Sequence, residues 1–246
     1  MSEVFRERLW RVVVALVVGS VLAACGAAQQ AVGPAPKQAD SPEGGVSATG
    51  HTSAGGQPFQ MVRMSWVDCR QGGTRLTALD EEDDEAVNVP TGFPVLWGGV
   101  VYNSAWISTN GLVSLASGDV DDFSNENLPT TDIPAPAAAV LWDDWMTEGG
   151  GSVWVRTLGT APRRVWAVCW YDLQGYPSSP SRVTFQALFL ESQQVLYQYL
   201  DTVAGNFRDN GASATVGVQN YPGYWSVWSF NTPQVPSGLA IITKNP

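Results

Sequence analysis

A chain of 246 residues with 23 acidic and 13 basic side chains carries a formal charge of −10. Such a surface is a poor partner for nucleic acid, whose binding rests on neutralising phosphates. Eleven Trp, seven Tyr and eight Phe beside 25 Gly and 16 Pro suit strands joined by turns rather than helices. The only histidine, His51, lies in a polar stretch ahead of the first strand-like run, which sets aside a Ser-His-Asp triad and His-rich metal sites.

Residues 1–24 have the layout of a secretory signal: Arg6, Arg8 and Arg11, then an apolar run from Val12 to Ala24, then small residues at the cut. The run is shorter than the roughly 18–20 residues a spanning helix needs. Leu22-Ala23-Ala24-Cys25 resembles the lipobox of bacterial lipoproteins. That resemblance implies cleavage before Cys25 and acylation of its thiol, with palmitate among the chains; an ordinary signal peptide and an uncleaved anchor are the alternatives. Removing residues 1–24 takes away three arginines and two glutamates, which leaves ten basic and twenty-one acidic side chains and a net charge of −11. Anionic headgroups would repel that surface, so the expected membrane link is the acyl chains on Cys25. The expected location is the extracytoplasmic face of the cell envelope. By analogy with two-membrane hosts, Gly26 after the cysteine points to the outer membrane if the host is diderm.

Residues 25–58 carry the lipid cysteine and then Gly, Pro, Ala, Ser and Gln with almost no large apolar side chain. They are expected to form a flexible tether, since so little apolar surface does not offset the entropy of ordering. Residues 59–246 alternate short apolar runs with turn signals and read as one domain. Strands are expected at 61–69, 75–79, 87–89, 100–108, 112–116, 137–142, 152–157, 164–171, 182–190, 195–200, 214–219, 225–230 and 239–243. Val165, Ala167, Cys169 and Tyr171 alternate with Trp166, Val168 and Trp170, and Val183, Phe185, Ala187 and Phe189 alternate with Thr184, Gln186 and Leu188. Both sets are largely apolar, which implies strands covered on both faces or one face left as a binding surface. Asn110-Gly111 and the Glu191-to-Gln194 stretch sit where hairpin turns are required, and Gly149-Gly150-Gly151 reads as a further hairpin. The fold class is all-β: a two-sheet antiparallel β-sandwich after a signal peptide and tether.

Trp106-Ile107-Ser108-Thr109-Asn110-Gly111-Leu112-Val113-Ser114, followed by a Pro-rich segment and Ala139-Val140-Leu141-Trp142-Asp143-Asp144, resembles the nidogen-type extracellular domain, most closely its bacterial versions. Further pieces follow in order: Gly151-Ser152-Val153-Trp154, Thr184-Phe185-Gln186, Tyr197-Gln198-Tyr199 and Ala214-Thr215-Val216-Gly217-Val218-Gln219-Asn220. The likeness spans roughly residues 76–243. Cys169 stands where a polar or acidic residue is usual, and Leu141 replaces a common Phe. The resemblance implies an extracellular β domain used in adhesion or matrix contact, with no catalytic residues to carry over.

Candidate site residues are few. Cys69 and Cys169 are the cysteines left after Cys25, and export favours a bridge between them, against two separately buried thiols. Asn110 reads as a residue that fixes its loop by bonding neighbouring backbone. Asp143 and Asp144 and the Asp119, Asp121 and Asp122 loop could cap backbone or ligate calcium but show no calcium-loop spacing, so structural or solvated roles are expected and no metal and no cofactor is assigned. The six acids from Asp80 to Glu85 are expected to be a solvated loop, with a calcium-dependent or cationic-partner contact as the alternative. Asp143, Asp144, Glu148 and Glu191 are the carboxylates a glycan-active enzyme would draw on, without an acid–base arrangement legible in the sequence. The expected function is therefore non-catalytic: a lipid-anchored binding or adhesion module for an extracellular glycan or protein, with a structural subunit of an envelope complex as the alternative and an enzyme as the outlying one. Trp154, Trp166, Trp170, Tyr176, Trp228 and the Tyr221-to-Trp225 stretch hold more rings than a small core encloses, and Tyr221, Tyr224 and Trp225 are the candidate ligand contacts.

Overall fold

The computed structural model describes residues 53–54, 59–220 and 223–244. Cys25, the signal segment, most of the expected tether and Tyr221 lie outside these residues. Among the described residues, no helix is long and apolar enough to cross a membrane.

Fifteen strands form two antiparallel sheets among the described residues. In the first, β1 (Ser53–Ala54), β14 (Tyr224–Phe230), β13 (Thr215–Asn220), β7 (Ala137–Trp142), β6 (Leu112–Ser114), β5 (Val100–Ser108) and β4 (Ala86–Trp97) lie side by side in that order. In the second, the order is β2 (Gln60–Met61), β15 (Ala240–Lys244), β12 (Gln194–Asp201), β11 (Val183–Leu190), β10 (Val165–Gly175), β9 (Ser152–Leu158) and β3 (Thr74–Arg75). β8 (Trp145–Met146) joins the far end of β10. The architecture is a two-sheet β-sandwich, as the alternation in the sequence implied.

The sheets enclose a core that includes Ile107, Val140, Trp170, Phe185 and Tyr197, all fully buried. Polar handles on large rings cross the layer and bond to the opposite sheet's backbone. Trp170 Nε1 donates to Ser108 O (2.8 Å), Tyr197 Oη to Gly217 O (2.9 Å) and Tyr199 Oη to Val140 O (2.6 Å). Buried rings with satisfied polar ends fix the relative placement of the two sheets as apolar contact alone does not.

Both outer faces are also covered, which explains the two-sided apolar strands. Over the second sheet lies the irregular segment 62–72, which packs Val62, Met64, Trp66 and Val67 on Ala167, Leu188, Leu196 and Ile242. Its apolar side chains point at a sheet face, not along an edge, so it forms no ladder beyond β2, where a strand through residue 69 was expected. Cys69 and Cys169 are bonded (S–S 2.00 Å) and both are fully buried, so the segment is stapled to the middle of β10. Gln186, with its amide turned so that the nitrogen donates to Val67 O (2.8 Å) and the oxygen accepts from Val67 N (3.0 Å), pairs with that backbone as a neighbouring strand would. Over the first sheet lies the loop 115–136, which seals Trp142, Leu112 and Ala139 with Val120, Leu128 and Ile133. Two extra apolar layers give the aromatic residues more interior than one sandwich core holds. Trp166 and Trp170 are buried, while Trp154, Trp225, Trp228 and Tyr224 are half-buried. Most of the rings singled out in the sequence are thus buried or half-buried, while Tyr176 is exposed.

Other differences have local causes. β4 runs on through Pro90 and Pro94 to Trp97, because it is the outermost strand of its sheet, where a missing N–H is harmless. Ser53 and Ala54, placed in the tether from sequence, pair with Ser226 and Trp225. Gly149 and Gly150 (φ +68° and +108°) turn the chain between β8 and β9, which both pair with β10 and not with each other.

Candidate functional site

The densest chemistry in the fold gathers where strand ends meet loops at one end of the sandwich. Asn110 is its hub. The turn between β5 and β6 carries Gly111 at φ +74°, where a Cβ would lie 2.5 Å from Leu141 O, so glycine alone lets this turn sit against β7. The turn buries Asn110 completely. Its Oδ1 accepts from Trp145 N (2.9 Å), and its Nδ2 donates to Asp121 O (2.8 Å) and to Asp84 Oδ1 (2.8 Å). One amide thus ties together three segments: the acidic run, the 115–136 loop and the start of β8. The amide fixes backbone, but that of segments 11 and 35 residues away and not, as expected, of its own loop.

The acidic run is solvated only in part: Glu81, Glu82 and Glu85 are exposed as expected, while Asp80, Asp83 and Asp84 are half-buried and the segment is docked. Glu81 accepts hydrogen bonds from Gly149 N (2.9 Å) and Gly150 N (3.2 Å). Thr147 Oγ1 accepts from Glu82 N (2.9 Å) and donates to Leu79 O (2.5 Å), and Thr147 N donates to Glu82 O (2.9 Å). Glu85 and Thr109 exchange backbone and hydroxyl bonds. Glu81 and Asp84 adopt positive φ (56° and 49°) within the segment, strained backbone that persists because the partners over-determine it. The six acids were expected to repel burial, and the correction follows from this docking: Asp83 and Asp84 are half-buried.

Asp83, Asp84 and Asp144 each bring one carboxylate oxygen to within 4.8 Å of the other two. Asp83 Oδ1 is fully enclosed with no hydrogen-bond partner. Burial, then the negative charges of Asp84 and Glu148, push the Asp83 carboxyl up. Burial, then the charge of Asp83, push Asp144 up to about 6. The nearest cation, Arg208, is 6% exposed and lies 4.5 Å from the Phe207 ring centroid and 5.9 Å from that of Trp145. Its guanidinium reaches Asp143 at 3.5 Å and Asp144 at 3.7 Å. Asp143 is otherwise committed, accepting from Ser213 Oγ and from Asp144 N. Three carboxylates with a guanidinium already beside them fall short of the six to eight oxygens calcium takes, and no cation site is assigned to them.

The raised Asp144 carboxyl has a signed consequence. The folded state holds a proton between about pH 4 and pH 6 that the unfolded state has released, so stability rises as pH falls through about 6 and the full penalty is present above it. Asp144→Asn is expected to be more stable than the parent at pH 7.5, by on the order of 1 kcal/mol after solvent screening. At pH 4 the difference should vanish. Urea melts at the two pH values check this, and a parent whose stability is flat from pH 7.5 to pH 5 would contradict it.

The remaining sequence candidates scatter. Glu191 pairs with Arg164 at the β11–β12 turn, and Asp119 and Asp122 serve local turns through Ser117 and Ser124. Tyr224 and Trp225 lie half-buried on β14, packed against the sandwich core and the outer layer respectively. The structure brings none of these to the carboxylate cluster. What sequence reading missed is the joining of the acidic run to Trp142-Asp143-Asp144, some 60 residues apart; their shared link through Asn110 left no signal in spacing. Two exposed rings border the cluster, and a third lies on the 115–136 loop. Tyr176 (50% exposed) donates its backbone N–H to Asp144 O (3.1 Å), Phe207 (67%) stacks on Arg208, and Phe123 (52%) follows Asp122, whose carbonyl accepts from Trp142 Nε1. A separate concavity of about 300 Å3 opens between β4 and β9 over Trp166, Val89 and Leu76; Arg156 on its wall spends Nη1 on Asp68 O (2.9 Å).

No curated protein and no solved structure matches the chain. The NIDO-related family matches residues 58–245, which takes in β2 through β15 and leaves β1 of the sandwich outside. The Trp106-to-Ser114 and Ala139-to-Asp144 stretches that carried the nidogen-type resemblance supply the Asn110 turn and Asp144, one of the three clustered carboxylates, and the chain belongs to the NIDO-related family.

Proposed function

We propose that this chain is a lipid-anchored extracytoplasmic protein whose NIDO-related domain is a non-catalytic binding module, and that the loop end described above is the face it offers. The observation that carries the reading is the pair Tyr176 and Phe207, each at least half exposed and tied to the acidic cluster, Tyr176 through its N–H on Asp144 O and Phe207 through Arg208. Exposed rings on rigidly held loops serve as stacking platforms for sugar faces or as anchors in protein interfaces. Asp143 favours a non-catalytic role, since its oxygens already serve Ser213, the Asp144 amide and Arg208. The Leu22-to-Cys25 motif supports export and acylation, with the acyl chains as the membrane link and an extracellular glycan or protein as the ligand.

Two measurements test the two halves. Cells grown with a radiolabelled fatty acid are expected to label the parent and not a Cys25→Ala form, which should leave the membrane fraction; an unlabelled parent removes the anchor. On a glycan and matrix-protein array, Phe207→Ala with Tyr176→Ala is expected to weaken the bound ligand at least tenfold. Equal binding by parent and variant would move the ligand to another face.

A further inference from the structure

The acidic segment is fastened at both ends by neutral partners, yet its middle presses two carboxylates against a third. Arg208 is the one guanidinium beside the cluster among the described residues, and it sits nearer Asp143 than Asp144. The groups that face Asp144 are Asp83 and Asp84 from the acidic segment, Asp143 from its own turn and Arg208 from the 201–213 loop. Glu148, after β8, adds negative potential at Asp83. A fully ionised cluster would therefore hold three charges of one sign at close range, with Asp83 Oδ1 enclosed and lacking any donor. An ionised oxygen in that position is far more costly than a neutral one.

We propose that residues 80–85 form a proton-operated latch across this end of the sandwich, closed when one proton is held between Asp83 and Asp144 and loosened when that proton leaves. The inference goes beyond the binding reading and stands whether or not the loop end takes a ligand. Closing needs only a proton from solvent. Protonating one carboxyl removes one of three like charges and leaves the remaining pair within reach of Arg208. Opening releases contacts that neutral groups would otherwise keep, namely Glu82 and Glu85 on Thr147 and Thr109, and Glu81 on the Gly149 and Gly150 amides. The segment is suited to local opening, because its backbone bonds lie near the surface and two of its residues hold positive φ.

Hydrogen exchange on the full chain tests the latch. The amides of Glu82, Glu85, Gly149 and Gly150 are followed at pH 5 and pH 8, with rates corrected for intrinsic exchange and the β11 amides as an internal reference. Their protection is expected to fall about tenfold or more from pH 5 to pH 8 while β11 stays unchanged, the equivalent of roughly one pK unit. Asp144→Asn should be protected equally at both pH values, and Asp83→Asn should do the same if Asp144 is too damaging to replace. Unchanged protection in the parent, or a pH dependence that survives both substitutions, overturns the proposal. Protection restored at pH 8 by calcium chloride would assign the cluster to a metal ion and overturn it equally.

Discussion

Asn110→Ala is expected to lower the unfolding free energy by about 3–4 kcal/mol, more than any surface substitution in the domain. The side chain is small, and the loss is not one of packing. The amide satisfies the Trp145 N–H and the Asp121 carbonyl in a fully buried position and neutralises part of the charge on Asp84. Removing it leaves the buried Trp145 N–H without a partner, worth roughly 1–3 kcal/mol, frees the part-buried Asp121 carbonyl, and withdraws the charge-assisted bond to Asp84, worth roughly 1.5–3 kcal/mol. For a domain of this size the midpoint should drop by about 10 °C. Asn110→Asp is the informative companion. It keeps an oxygen for Trp145 but adds a carboxylate beside Asp84, so its destabilisation should be larger at pH 7.5 than at pH 5. Thermal melts of the three forms decide the matter, and a loss below 1 kcal/mol for Asn110→Ala would mean that water replaces the amide at no great penalty.

Cys69→Ser combined with Cys169→Ser is expected to cost about 4 kcal/mol, through a different mechanism. The bridged residues are separated by 100 positions. Closing so long a loop removes much of the unfolded chain's freedom, and the chain-entropy estimate for that length is just under 5 kcal/mol. In the folded state the bridge also fixes the cover over the second sheet. The Cys69 N–H donates to Tyr171 Oη (2.7 Å), and Tyr171 Oη donates to Asp68 (2.9 Å). With both sulfurs fully buried, reductant should act on the native protein only as fast as it opens. The double variant should melt about 10 °C below the parent, and so should the parent unfolded in reductant. A double variant within 2 °C of the parent would show that the cover holds its place through Trp66, Val67 and Gln186 alone.

Strand placement was largely legible in the sequence because it depends on local alternation. β5 and β7 fall on the expected residues, and most others differ by one or two at an end. The failures have separate physical causes, each set by tertiary placement. Residues 62–68 alternate like a strand but lie flat on a sheet, and nothing in their own pattern distinguishes the two uses. β4 hid behind Pro90 and Pro94, since only its position at the sheet edge excuses them. The candidate site was half legible. Asn110 and the paired aspartates were singled out by type and position, and the acidic run was noticed as a charge block. Their meeting was not, because it depends on a long-range contact between 84 and 110 and on a buried arginine at 208 that stands in an otherwise unmarked loop.

The position of the staple has a mechanical corollary. A pull delivered from the amino-terminal side would first peel the two-residue β1 from β14, then the two-residue β2 from β15, and straighten Phe59 to Asp68, a slack of about 35 Å at full extension. There the unravelling stops, because the covalent link passes the load to β10, a strand flanked by β9 on one side and β11 on the other. Force then meets many ladder rungs in parallel instead of one at a time, so the domain is built to stay whole under tension on that end.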